Sequence, residues 1–503
     1  MTFPRCAGVL MHIASLPGAY GIGVLGQSAR EWVDFLHRTG QTLWQILPVG
    51  PTGYGDSPYQ SYSSFAGNPY FIDPEGLLAA GYITSAELAA ARYSGDSTAI
   101  DYAWVEESRR ALFRQAFPRF QASPPADFGA FCRAQEDWLE EYALFMAVKE
   151  AHGGLPYTRW DEDIRLRRRS VVAMWRVKCA EGVAYYKMLQ YFFYTQWAAV
   201  KAYANGKGIR ILGDIPIYVA PDSADVWANP HLFCLDREGH PTVVAGCPPD
   251  LFSEDGQLWG NPVYDWKSLR RSGYAFWLRR LAACLRLYDA VRIDHFRAFA
   301  DYYCIPAGAK NARLGQWKTG PGMHFFRTVW RQLGDIPVVA EDLGDLSPAV
   351  YQLLADSGLP GMKVLQFAFD PEEDSEHLPH HHVKNGVVYT GTHDNDTILG
   401  WAEENPEQAA FARAYLQLPP KAALVRPLMQ AALASVADVC VLTAQDLLEL
   451  GAEARMNVPA TVGGNWRWRA DPEGFTPELA DWLASNTRLY RRERREDHEA
   501  IKS

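Results

Sequence analysis

The chain has 503 residues, of which 48% are hydrophobic and 21% charged, the balance of an ordinary globular protein. Its 49 Lys and Arg stand against 59 Asp and Glu, and the net charge of −10 excludes a general attraction to phosphate backbones, so nucleic acid is not an expected partner. The cysteines are scattered with no Cys-x-x-Cys, and no apolar run is long enough for a bilayer; a zinc ribbon and a membrane span are not expected, and the cytoplasm is the default compartment.

In chain order, short apolar, β-branched runs read as eight strands: residues 8–15, 42–48, 209–219, 290–295, 338–343, 362–369, 387–392 and 439–443. Their near-continuous apolar character suits parallel strands buried on both faces. After the first run, Gly21-Ile22-Gly23-Val24-Leu25-Gly26 matches G-x-G-x-x-G. A dinucleotide site needs an acid at the end of the next strand, and the second run has none and meets Pro51. These glycines are therefore expected to serve a tight turn. Trp32, Phe35 and Leu36, at i, i+3 and i+4, predict a helix stopped by Gly40. Residues 75–185 read as a largely helical insertion. Met188, Phe192, Ala199 and Val200 predict a further helix ending near Gly206.

Residues 220–275, rich in Pro, Gly and Asp with few regular periods, read as a loop insertion, and long loops of that kind are usually functional. His377, His380, His381 and His382 crowd one segment before the seventh strand. With Pro379 among them, they are expected to be solvated and not a metal site. Beyond about residue 450 a Gly-rich loop leads to a charged C-terminal helix. Its last stretch, 491–503, is expected to be a solvated face or frayed end.

Alternating strand and helix calls for a parallel α/β sheet, and eight strands suggest closure into a TIM (β/α)8 barrel with large, mainly helical insertions between strands. The length exceeds the roughly 250–300 residues at which a single core stops growing, yet barrels absorb insertions. Residues 1–503 are expected to form one catalytic barrel unit.

Three strand ends carry acids. In Arg292-Ile293-Asp294-His295-Phe296, Arg292 and Asp294 are two apart and share a strand face. At the C-terminal end of a barrel strand that face meets the active site. The neighbouring cation is expected to lower the pKa of Asp294 and keep it ionised, as a nucleophile needs. In Val338-Val339-Ala340-Glu341-Asp342-Leu343-Gly344, alternation sends Glu341 and Asp342 to opposite sides. A carboxyl in a partly apolar pocket has a raised pKa and can protonate a leaving oxygen. In Tyr389-Thr390-Gly391-Thr392-His393-Asp394-Asn395-Asp396, His393 and Asp394 are placed to grip substrate hydroxyls. The alternatives are a structural ion pair and acids satisfied by backbone amides. Charges buried at strand ends are costly without a role, and three such ends in succession favour catalysis. Two carboxyls about 5–5.5 Å apart across a sugar give retaining glycoside cleavage through a covalent intermediate.

A longer ordered series accompanies these motifs: Ser15-Leu16-Pro17-Gly18, Trp44-Gln45, Pro51-Thr52-Gly53-Tyr54-Gly55-Asp56-Ser57-Pro58-Tyr59, Gly213-Asp214-Ile215-Pro216, Pro248-Pro249-Asp250, Trp259-Gly260-Asn261-Pro262, Asn457-Val458-Pro459 and Asn465-Trp466. In this set the chain resembles the amylomaltases, the 4-α-glucanotransferases of the α-amylase clan, over nearly its whole length. The resemblance implies a retaining enzyme that moves α-1,4-glucan segments from a donor chain to the 4-hydroxyl of an acceptor glucan or glucose, through a glycosyl-aspartate.

It also implies Asp294 as nucleophile, Glu341 as general acid/base and Asp394 as transition-state stabiliser. Arg292 and His393 would hold the sugar at the cleaved bond. Tyr59, Asp214 and Asn465 would line donor subsites, and Gln257 and Trp259 would overhang the acceptor side. Tyr54, Ser57 and Asp370 are further substrate-binding candidates. No metal or organic cofactor is implied for the chemistry, and a monomer or weak homo-oligomer is expected. The alternative is an α-glucan hydrolase with the same triad.

Overall fold

The computed structural model describes residues 3–249 and 254–493. Its strands, in chain order, are β1 (Cys6–Leu10), β2 (Leu43–Gln45), β3 (Arg210–Ile215), β4 (Val243–Cys247), β5 (Gln257–Pro262), β6 (Ala290–Ile293), β7 (Asp301–Pro306), β8 (Gln316–Thr319), β9 (Val338–Ala340), β10 (Gly361–Val364), β11 (Gly386–Tyr389) and β12 (Val439–Thr443). The eight apolar runs become β1, β2, β3, β6, β9, β10, β11 and β12. Several strands stop short of the predicted C-terminal end, because there the chain leaves the ladder and turns its polar residues into the barrel mouth.

These eight form one parallel sheet in the order β10-β11-β12-β1-β2-β3-β6-β9, the chain order wrapped around a TIM barrel. The two ends of the sheet meet. Ala340 N–H donates to the Pro360 carbonyl at 2.9 Å, and the Asp342 carboxylate accepts from Met362 N–H at 2.6 Å. The interior is filled by side chains that reach across it, as where Tyr389 OH donates to Gln45 Oε1 at 2.9 Å, with both residues buried.

Helices cover the outside. Helix Gln27–Arg38 buries Ala29, Trp32, Val33, Phe35 and Leu36, the face expected from their spacing. It stops as predicted: Gly40 takes φ 72°, while Gly40 N–H bonds to the His37 carbonyl and Gln41 N–H to that of Leu36. That pair of bonds is a Schellman motif. In the 75–185 stretch, helices Tyr102–Ala122 and Leu139–Ala151 pack with helix Ala180–Gly206, which runs through position 185 and delivers the chain to β3. Among the described residues no helix is long and apolar enough to cross a membrane, and all eight cysteines are free.

The 220–275 stretch differs from the expected loop. It holds β4 and β5, which join β7 and β8 in a second, antiparallel sheet ordered β5-β4-β7-β8. Gly246, Gly260 and Pro262 interrupt the alternation that would have betrayed these strands, and the β4–β5 register shifts between Val244 and Gly246. Asp250 and Ser253, within the expected loop, lie outside the described residues. The Gly21–Gly26 glycines do steric work: a Cβ at Gly23 would stand 1.8 Å from the Ile13 carbonyl oxygen.

Two terminal and loop expectations need correction. Arg492 is not solvated. It is fully buried and donates to the carbonyls of Cys6, Leu433, Ser435, Ala437 and Asp438. Leu433 lies at the end of helix Val425–Ala434, where carbonyls lack helical partners, and a guanidinium offers five donors. Residues 494–503 lie outside the described residues. Of the four clustered histidines, His380 and His381 are exposed, but His382 is buried between Ser435 Oγ (2.8 Å) and the His377 carbonyl (2.9 Å). His377 Nδ1 accepts from Val364 N–H at 3.1 Å.

Candidate active site

The register of the barrel sets the charges. Asp214 on β3 stands beside Arg292 on β6, and Arg292 beside Val339 on β9. Adjacent residues in register share a face, so Asp294 and Glu341, each two residues further on, emerge side by side at the mouth. Arg292 Nη1 meets Asp214 Oδ2 at 2.5 Å, and its Nη2 meets Asp294 Oδ1 at 2.9 Å. One guanidinium thus serves two carboxylates, with Asp214 wholly covered and the Asp294 side chain 29% exposed.

Glu341 accepts two backbone donors, His295 N–H at 2.6 Å and Leu343 N–H at 2.8 Å. The first depends on His295 adopting a left-handed conformation, φ 53°, uncommon for a residue with a side chain. Asp342 points the other way, onto Met362 N–H, as alternation predicts, and burial raises its carboxyl to about 6. Asp394 follows β11. Its Oδ1 accepts from Asn457 Nδ2 at 2.6 Å and lies 3.5 Å from His393 Nε2, while Arg455 holds its carbonyl at 2.9 Å.

Aromatic rings form one wall. Tyr59 stacks on His393 (5.1 Å between centroids, 17° between planes), and Trp466 leans on both. Tyr59 OH donates to Asp214 Oδ2 at 2.9 Å. On the other side Trp259 meets His295 edge-on at 4.8 Å and donates to Gln257 Oε1 at 3.0 Å.

Burial dominates the titration of this cluster. It raises the Asp294 carboxyl to about 8, with Arg292 opposing the rise and Asp214 and Glu341 adding to it. Arg292 does pull the Asp294 pKa down, as expected, but it does not set the net shift: the cation is shared with a fully covered Asp214, and desolvation outweighs its pull. Burial also raises Glu341, against Arg292 and its two amide donors. It lowers His393, which favours the neutral ring, and takes His295 down to about 3.

Asp294, Glu341 and Asp394 open into one cleft of about 1650 Å³. Tyr54, Ser57, Tyr59, Gln257, Trp259, Arg292, Asp370, His393 and Asn465 also line it. Tyr54 stands 75% exposed on the rim. Asn465 Oδ1 accepts from Val458 N–H at 3.0 Å, pinning the loop that carries Asn457. Asp214 does not reach the cleft. Its side chain has no exposed surface, and it acts through Arg292 and Tyr59. Sequence reasoning gave no role to Asn457, Arg455 or Trp466. All three lie on the Gly-rich loop after β12, which has no periodicity, and only their place in quoted motifs marked Asn457 and Trp466. An aromatic-walled cleft with three carboxyls can take a sugar chain and support acid, base and nucleophilic steps on it.

A family model described as 4-alpha-glucanotransferase matches residues 11–473. A 4-alpha-glucanotransferase of Streptococcus pneumoniae is 47% identical over 492 residues, 97% of either chain. One of Thermus thermophilus is 48% identical over 486 residues, covering 95% of this chain and 97% of the relative. The solved amylomaltase of Streptococcus agalactiae in complex with acarbose superposes with a TM-score of 0.95 at 42% identity, over 97% of this chain and 100% of that one.

Proposed function

The chain belongs to the 4-alpha-glucanotransferase family, and from that premise we propose that it transfers α-1,4-glucan segments between chains with retention. Donors are maltooligosaccharides or starch chains, and acceptors are the 4-hydroxyls of other glucans or of glucose. One observation carries the assignment of roles: Asp294, Glu341 and Asp394 share one cleft at the ends of β6, β9 and β11, with Arg292 bound to Asp294 alone among the three.

In this reading Asp294 is the nucleophile. The guanidinium 2.9 Å away draws the cluster's negative charge onto it, while Glu341, raised by burial, keeps the proton. The Asp294 carboxylate attacks the anomeric carbon as the glycosidic C–O bond breaks, and Glu341 gives its proton to the leaving 4-oxygen. The acceptor 4-hydroxyl then attacks the same carbon, Glu341 takes its proton, and Asp294 leaves. Asp394, held by Asn457, would bind ring hydroxyls as positive charge develops on the sugar.

Transfer must beat hydrolysis. Positioned reactants reach effective molarities of roughly 10⁵–10⁸ M, far above that of water. Trp259, packed on His295 at the cleft wall, is the acceptor platform in this account. Incubation with maltotriose tests the function. Glucose together with chains longer than maltotriose is the expected result, lost in Glu341→Gln; shorter products alone would make the enzyme a hydrolase.

A further inference from the structure

A second group of ligating side chains stands on the rim of the cleft, apart from the three carboxyls. We propose that Asp374, His380 and His381 form a binding site for one borderline divalent cation, of the Zn²⁺ type. One ligand atom from each lies within 4.8 Å of the other two. His381 Nε2 is 2.7 Å and His380 Nε2 3.9 Å from the same oxygen, Asp374 Oδ1. Zinc takes imidazole nitrogen and carboxylate oxygen at about 2.0–2.2 Å, so its ligand atoms sit roughly 3.3–3.5 Å apart. All three side chains are exposed, and small rotations bring them to that spacing.

The local fold prepares the site. Pro379–His381 is a single 3₁₀ turn that sets the two imidazoles side by side, ring centroids 4.2 Å apart. The Ser375 carbonyl, bonded to Leu378 N–H, folds the Asp374 arm back against this turn. An independent feature points the same way. His380 Nδ1 is engaged by Tyr415 OH at 2.9 Å, and the two rings stack at 5.9 Å and 23°. This hydrogen bond to the far ring nitrogen is the outer-shell contact that orients metal-binding histidines, and it leaves Nε2 turned toward Asp374. Two imidazoles and one carboxylate suit zinc, nickel or copper; Mg²⁺ and Ca²⁺ want an all-oxygen set.

The segment runs from β10 to β11, the strand that leads to Asp394, and Asp374 lines the cleft with Asp370 and Glu373. A bound ion would tie the Asp374 arm to the 379–381 turn and stiffen that part of the rim.

Isothermal titration of the tag-free, full-length protein with ZnCl₂ tests the proposal, with thermal melts in parallel. Expected are one saturable site per chain, affinity at least tenfold weaker in His380→Ala and in Asp374→Asn, a melting temperature raised by Zn²⁺ in the parent alone, and no saturable binding of MgCl₂. Melts without metal verify that these surface variants fold. Absence of a stoichiometric site, or equal affinity in a His380→Ala/His381→Ala double variant, overturns it.

Discussion

Removing the Asn457 side chain takes one hydrogen bond from Asp394 and leaves its backbone anchored. The lost contact, Asn457 Nδ2 to Asp394 Oδ1 at 2.6 Å, is short and charge-assisted, a class worth about 1.5–3 kcal/mol. The Asp394 side chain is 46% exposed, so water replaces part of it, and the lower half of that range applies. Arg455 still holds the Asp394 carbonyl, and Thr392 Oγ still accepts its N–H. In Asn457→Ala the carboxylate is present but loosely aimed. At 1.36 kcal/mol per tenfold, about 1.5–2 kcal/mol is a roughly 10–30-fold fall in kcat with little change in KM.

Asn457→Asp should behave differently. The new carboxylate replaces a hydrogen-bond donor with a like charge beside Asp394, so kcat falls further than in Asn457→Ala. Initial rates of glucose release from maltotriose, across substrate concentration, read both effects. A kcat for Asn457→Ala within twofold of the parent, or a loss confined to KM, refutes the reasoning.

Asp294→Asn should abolish transfer and stabilise the fold. Burial and mutual repulsion raise Asp294 and Glu341 together, so the folded pair keeps one proton, carried mainly by Glu341, that the unfolded chain releases near pH 4. Stability is therefore lost as pH rises from about 4 to 8; thermal melts should coincide at pH 4 and favour the variant by about 1–3 kcal/mol at pH 8. Trp259→Ala removes the ring packed on His295. Its acceptor KM should rise several-fold, and the share of hydrolysis in the maltotriose products should grow. Arg492→Leu removes five donated bonds, while Arg5 still reaches the carbonyls of Leu433, Ser435 and Ala437 and Cys6 N–H that of Asp438; differential scanning calorimetry should show a loss of about 1–3 kcal/mol.

The barrel was legible because its strands are buried on both faces and therefore written as continuous apolar runs, such as Val439–Thr443. The antiparallel sheet was not. β8 is exposed along its whole length and β5 is broken by Gly260, so neither run declares a core-facing side. At the site, two-residue alternation placed Arg292 with Asp294 and separated Glu341 from Asp342. It could not reveal that Asp214, 78 residues away in the chain, shares the Arg292 guanidinium with Asp294; that sharing exists only once β3 and β6 pair. For the same reason it misjudged the Asp294 carboxyl, whose shift depends on how much water the fold removes. Asn457 is held against Asp394 by a loop with no period, which single-sequence reasoning reads only as a loop.

The claim on which the rest depends is that Asp294 carries the sugar between donor and acceptor. Incubating Glu341→Gln with α-maltotriosyl fluoride tests it most directly, because fluoride leaves without acid help while the crippled base slows release to an acceptor. Intact-protein mass spectrometry should show one maltotriosyl unit added per chain, and peptide mapping should place it on Asp294. A reactive Glu341→Gln that turns over the fluoride with no adduct, or an adduct on another residue, would contradict the account.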